Sequence, residues 1–225
     1  MKRETLLALN EARRAGKAIL RATDIATGEE RLIDPYTDKS GLGVAAAEAA
    51  RADASGTVEI DGRSWFLSVY NPPLDLAIVG AVHIAQPLSS MAAMAGYNVR
   101  IIDPRTTFAA PERFPGMRLS HDWADEALTK EPLTQRSAIV LLTHDPKLDD
   151  PGLIAALRSD CFYIGALGSK KTQASRRARM ADAGFDENTL TRIRGPVGLN
   201  IGARSPAEIA ISILAEMTLI LRGAK

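Results

Sequence analysis

The chain has one cysteine, Cys161, and three histidines among its 225 residues. A single thiol closes no internal disulfide, which excludes the disulfide framework of a small secreted domain. His83, His121 and His144 are scattered without metal-ligand spacing, so no zinc or other metal is expected on the chain's own side chains. Charge of one sign is also lacking. With a formal net charge of +1, nothing points to nucleic acid or a membrane surface as a partner. No apolar run approaches the roughly 20 residues of a membrane span. The opening stretch MKRETLLALNEARRAGK interrupts its leucines with charges, unlike a secretory signal. A cytoplasmic location is the resulting expectation. Nucleophile signatures are missing too: there is no G-x-S-x-G elbow, and Cys161 lies in an apolar run expected to be a buried strand with an inert thiol. No residue is singled out as catalytic.

What is present is an ordinary globular composition, 46% hydrophobic and 24% charged, enough for a sizeable core. The length suits one α/β domain with a small appendage. Residues 2 to 17 place leucines among charges with helical spacing, ending near Gly16. AILRATDIATGEERLID reads as two strands turning at Thr27-Gly28, VAAAEAARADA as a helix, and TVEIDGRSWFLSVY as a hairpin around Asp61-Gly62. Trp65 and Phe66 then point to opposite faces of one strand. These elements make a small α+β domain over residues 1–71, near the lower size limit for independent folding. Its need for extra burial predicts docking on the second domain or on another copy, as in a homodimer. Asn71-Pro72-Pro73 is the natural linker.

The rest of the chain, residues 74–225, is organised around LDLAIVGAVHIAQPLSSMAAMAGYNVRIIDPR. Leu76 to Val79 has the length of a buried parallel strand, and Gly80 breaks it. Helical spacing follows through Ile84, Leu88, Met91 and Ala95 to Gly96, and a second strand runs from Val99 to Ile102. Asp103 ends that strand. This is the first βαβ unit of a Rossmann-like domain, in which a helix N-terminus binds phosphate and an acid receives ribose hydroxyls. The glycine pattern is interrupted: Val82 stands where a middle glycine lets the backbone approach a pyrophosphate, which weakens the case for NAD(P). Asp103 as a loop brace is the competing account. The segment TTFAAPERFPGMRLS is Pro-rich and suits a rim or lid. His121-Asp122 opens a short acidic helix. SAIVLLTHD is a clear strand running through Asp145, and Asp149, Asp150 and Pro151 mark the start of the next helix. Alternation of strands and helices predicts a parallel, doubly wound α/β sheet.

Ligands of such sheets collect beyond the strands' carboxyl ends. Those ends carry Gly80 with His83, Asp103 with Arg105, His144 with Asp145, and the turn GALGSKK. In that turn Gly165 and Gly168 can direct amides at an anion, with Ser169 and Lys170 at the following helix start. The glycine spacing is not that of a Walker A loop, and a plain strand-to-helix turn is the alternative. His144 and Asp145, adjacent on an extended strand end, would point opposite ways and so not chelate one ion. SRRARM downstream reads as a solvated helix face. GPVGLNIGARSPAEIA puts Gly202 and Arg204 before a proline-started, capping-box helix, where Arg204 could hold an anion or the stretch could be a simple connector.

Taken together, GAVHIAQ, IIDPR, APERFPG, LTHDPKLDD, YIGALGSKKT and GPVGLNIGARSPAEIAISILAE resemble the XdhC/CoxI family (also called XdhC/CoxF), maturation factors of xanthine and carbon monoxide dehydrogenases. The resemblance runs in order over roughly residues 74 to 222. It implies a Rossmann-like C-terminal half and a chaperone that binds molybdenum cofactor, assists or protects its sulfurated form, and hands it to an apo-molybdenum hydroxylase of the xanthine dehydrogenase class. Cofactor-biosynthesis proteins are then further partners. The cofactor carries a pterin and a terminal phosphate, so the resemblance implies a phosphate at Gly165 to Lys170 and a pterin facing His83 or Asp103. Family members commonly have GAGH where this chain has Gly80-Ala81-Val82-His83, and the family's usual Gly-Ser-x-Pro-Arg type segment is not recognisable in the N-terminal half. An NAD(P)-dependent oxidoreductase and a nucleotide- or redox-sensing regulatory subunit are the alternative functions.

Overall fold

The structure, a computed structural model, describes residues 2–223 and divides into two compact units, one ending at Pro72 and one beginning at Pro73. In the first unit, α1 (Arg3–Arg14) precedes two antiparallel strands, β1 (Ile19–Asp24) and β2 (Glu30–Ile33). Ser40 caps α2 (Gly41–Ala52) by accepting from the Gly43 amide, and a hairpin follows, β3 (Gly56–Ile60) and β4 (Arg63–Tyr70). The sheet order is β2-β1-β4-β3, all antiparallel. One face of it packs Leu20, Ala22, Trp65 and Leu67 under Leu42, Ala46 and Ala50 of α2. Trp65 is buried there and Phe66 is exposed, as the two-residue period of a strand requires.

The second unit runs β5 (Leu74–Val79), α3 (Ala85–Met94), β6 (Tyr97–Ile102), β7 (Arg118–Ser120), α4 (Ala124–Lys130), β8 (Ser137–Leu141), α5 (Pro146–Leu157), β9 (Tyr163–Ala166), α6 (Lys170–Asp182), α7 (Glu187–Leu190), β10 (Ile193–Arg194) and α8 (Pro206–Arg222). Its strands form one sheet in the order β10-β9-β8-β5-β6-β7, and every neighbouring pair is parallel. Alternate residues feed two cores. Leu76, Ile78, Ile101 and Val140 face α3 and α8, while Ala77, Val79, Ile102, Ile139 and Leu141 face α4, α5 and α6. Burial on both faces is why β5 and β8 read as continuous apolar runs rather than alternating ones. The fold is the expected Rossmann-like α/β sheet.

Two boundaries differ from expectation. The helix after β8 begins at Pro146 with Asp145 as its N-cap, not at Asp149 to Pro151. Of the two prolines, Pro146 takes the first-turn position where no amide is needed, and Pro151 lies inside the helix. The strand β8 stops at Leu141, so Thr143 to Asp145 form a turn rather than a strand end, and His144 is left-handed at φ +65°. Opposed side-chain directions along an extended strand therefore do not apply to His144 and Asp145. No helix among the described residues is long and apolar enough to cross a membrane.

Candidate functional site

The chain leaves β5 toward β6 and β7, then returns to lay β8 on the other side of β5. That reversal opens a crevice outside the carboxyl ends of β5 and β8. Gly80 turns the chain there with φ +102°, and a Cβ on it would stand 2.5 Å from Thr143 Cγ2. Glycine is needed at this point both for the backbone angle and for the close approach of the β8 end. Val82 takes no left-handed angle and packs partly buried against the α3–α8 core, while His83 beside it is exposed at the turn.

Asp103, only 1% exposed, is fully engaged within the chain. Its Oδ2 accepts from the Ala81 amide at 2.8 Å and from Arg105 Nη2 at 2.7 Å, and its Oδ1 accepts from Arg105 Nε at 2.8 Å and the Arg105 amide at 3.0 Å. Burial pushes this carboxyl's pKa up, but the hydrogen bonds from Arg105 and Ala81 outweigh it and hold the group below the ordinary carboxylate range. Arg105 is raised in turn, first by Asp103, and it also feels the charges of Asp145 and Asp149 across the crevice. Its guanidinium lies 4.3 Å from the Phe108 ring centroid. The Pro-rich segment is pinned as a rim: Arg113 Nη1 donates to the carbonyls of Ala81 at 2.8 Å and Phe108 at 2.6 Å. His121 is occupied at the same rim, with Nε2 2.9 Å from the Ala109 carbonyl oxygen.

On the other side of the crevice, Thr143 organises the turn. Its hydroxyl donates to Asp149 Oδ1 at 2.7 Å and accepts from the Asp145 amide at 3.1 Å, bracing the left-handed His144 between them. Asp145 caps α5 through the Lys147 amide. Asp149 is buried, and that burial pushes its carboxyl's pKa upward against the pull of Thr143 and Arg176. Arg176 lies across from it on α6 at 3.4 Å. This corrects the reading of SRRARM as a solvated face: Arg176 is 2% exposed, and Arg179 is held by Asp150 through two bonds of 2.6 and 2.9 Å. A buried guanidinium carries no local sequence signal, because its partner on α5 is 27 residues away.

The GALGSKK turn divides its labour. Gly165 lies within β9, where a Cβ would press on Tyr163 and Val197. Gly168 has φ +136°, Ser169 caps α6 by accepting from the Thr172 amide, and Lys170 is exposed at the first position of that helix. Gly198 donates its amide to Glu216 Oε2 at 2.9 Å, and the Tyr163 hydroxyl donates to the same oxygen at 2.6 Å, which fixes the glycine-rich connector on α8. Gly202 and Arg204 are exposed in that connector, and the Arg204 amide donates to Glu208 in the predicted capping box. The structure thus brings Gly80, Asp103 and Arg105 around one crevice, with His144 and Asp145 on its far wall. Gly202 and Arg204 make no contact with these residues among the hydrogen bonds of the described chain. Thr143, Asp149, Arg176 and Arg179 were missed in the sequence and line or brace the same region, together with Lys171, the last residue of the GALGSKK turn.

The XdhC Rossmann domain is the family model that matches, over residues 76–217. The chain belongs to the XdhC family. The chain is 32% identical over 151 residues to a molybdenum cofactor insertion chaperone, PaoD, of Escherichia coli strain K12, covering 67% of this chain and 41% of that protein. A protein of Bacillus subtilis strain 168 named as a probable xanthine dehydrogenase subunit is 29% identical over 68% of this chain and 44% of its own length. An uncharacterized E. coli protein, YqeB, is 27% identical over 79% of this chain and 32% of its own. This XdhC chain therefore spans less than half the length of these relatives. A crystal structure of a xanthine dehydrogenase from Bacillus halodurans superposes with a TM-score of 0.67 at 25% identity, covering 99% of this chain and 65% of that one.

Proposed function

We propose that this XdhC-family chain is an accessory protein that binds molybdenum cofactor and delivers it to an apo-molybdenum hydroxylase of the xanthine dehydrogenase class. The observation that carries this reading is the family match combined with 32% identity to a protein named as a molybdenum cofactor insertion chaperone. The donor set suits the group. His83 is exposed at the β5–α3 turn, His144 is exposed in the turn after β8 and Lys170 is exposed at the start of α6, and none of their side chains has a hydrogen-bond partner among the described residues. Cationic side chains on α6 favour the phosphate end of such a cofactor. The redox chemistry that the cofactor supplies belongs to the client enzyme. The task of this chain is to bind, orient and shield, and then release. Upstream partners in this reading are the proteins that complete the cofactor.

The NAD(P) alternative has less support. Asp103, the acid that would receive ribose hydroxyls, already has both oxygens engaged by Arg105 and Ala81. Val82 occupies the position where a glycine would admit a pyrophosphate. The deciding experiment is anaerobic equilibrium binding of molybdenum cofactor and of NAD(H) to the purified chain, side by side. Saturable pterin binding without dinucleotide binding is the expected result. Dinucleotide binding alone would overturn the proposal.

A further inference from the structure

We propose that the groove between α5 and α6 is a phosphate-monoester site. The groove encloses about 240 Å³ and is lined by His144, Asp149, Lys171, Thr172, Arg176 and Arg179, among others. That is below the roughly 300–1,000 Å³ of pockets that engulf a drug-sized ligand, so it suits one end of a molecule rather than the whole. The two acids that pair with its arginines are already in use. Asp149 is held by Thr143 and Arg176, and Asp150 by Arg179.

The cations, by contrast, keep donors in reserve. Arg179 binds Asp150 through Nε and Nη2, and Nη1 is left over. Arg176 uses both terminal nitrogens on Gln173, Asp149 and the Leu167 carbonyl, while its buried Nε has no partner at all. The Lys171 ammonium is free among the described residues. Among the lining residues Asp149 is the one acid against the cations Lys171, Arg176 and Arg179, so the lining carries more positive than negative charge. Lys171 and Thr172 also sit in the first turn of α6, where amide dipoles favour an anion.

A phosphate monoester presents three terminal oxygens to these separated N–H sources, and guanidiniums already clamped by carboxylates need little ordering to receive it. The inference deepens the proposed function by naming where the phosphate of the cofactor is held, and for that source it rests on that reading. His144 at the groove mouth links this site to the crevice outside β5 and β8.

The test is a ¹H–¹⁵N correlation spectrum of the full chain titrated with inorganic phosphate at low ionic strength, repeated on K171E, R179K and K39E. Phosphate should shift the amides of His144, Lys171 and Thr172. Affinity should fall at least tenfold in K171E and by less in R179K, which keeps its pairing with Asp150 but loses the spare guanidinium nitrogen. K39E makes the same charge change in the other unit and should leave affinity unchanged. Shifts confined to other residues, or equal affinity in K171E and K39E, would overturn the groove.

Adenosine monophosphate and molybdenum cofactor then separate a nucleotide source from a pterin one. If phosphate fills the groove but the cofactor does not bind the wild-type chain, the proposed function falls and the groove stands. If the cofactor binds wild type and K171E alike and phosphate leaves the groove silent, the groove falls and the proposed function stands.

Discussion

Asp103 shows how one carboxylate can be read two ways from sequence and only one way from its contacts. Its position at the end of β6 is that of a ribose acceptor, yet its four hydrogen bonds tie the Gly80–Ala81 turn to Arg105. Because the folded pKa is depressed, the ionised group stabilises the fold above its unfolded value of about 4, and that stabilisation is lost as pH falls through the lower folded value. Replacing it with asparagine should therefore destabilise the chain by about 2 kcal/mol at pH 7, the scale of hydrogen bonds to a charged group. Urea unfolding at a series of pH values checks this. The gap between wild type and D103N should be full at pH 7 and shrink as the solution is taken below pH ~4. A gap that does not change with pH would mean that the charge of Asp103 contributes nothing and that its shape alone matters.

At the scale of elements, the turn from β5 into α3 is set by the end of β8 as much as by its own residues. Gly80 has the left-handed φ that side chains resist, and Thr143 closes the space a Cβ would need. G80A should lose about 2–4 kcal/mol, combining the backbone penalty with overpacking. Adding T143S removes the obstructing methyl while keeping the hydroxyl that binds Asp149. Chemical denaturation of G80A and of the double variant should show about 1 kcal/mol recovered. If T143S recovers nothing, the backbone angle carries the whole loss. Strands β5 and β8 were legible in the sequence because both of their faces are buried, which makes Leu76 to Val79 and Ala138 to Leu141 continuous apolar runs, while in β6 the apolar Val99, Ile101 and Ile102 stand around the half-buried Arg100. The left-handed His144 and the buried Asp149–Arg176 pair were not legible. Each depends on partners from another element, and a basic helix face with its arginines turned inward has the same local spelling as a solvated one. Gly165 shows the reverse case, a glycine expected to serve an anion whose missing side chain accommodates Tyr163 and Val197.

Across the whole molecule, the two units carry separate cores. Leu20, Trp65 and Leu67 gather under α2 in the first, and neither core of the second contains any residue before Leu74. The candidate site lies wholly in the second unit, on side chains from β5 to α6. A chain beginning at Pro73 should therefore fold by itself and keep its phosphate response. At roughly 150 residues its unfolding enthalpy should be about 100 kcal/mol near 60 °C, from about 0.7 kcal/mol per residue. Calorimetry of that fragment should give one cooperative transition of this size with equal calorimetric and van't Hoff enthalpies. The amides of His144, Lys171 and Thr172 should shift with phosphate as they do in the full chain. A fragment that binds hydrophobic dyes and shows no heat-absorption peak would make the second unit dependent on the first. A fragment that folds but loses the phosphate shifts would instead assign residues before Pro73 a part in binding, which the side chains of the groove do not call for.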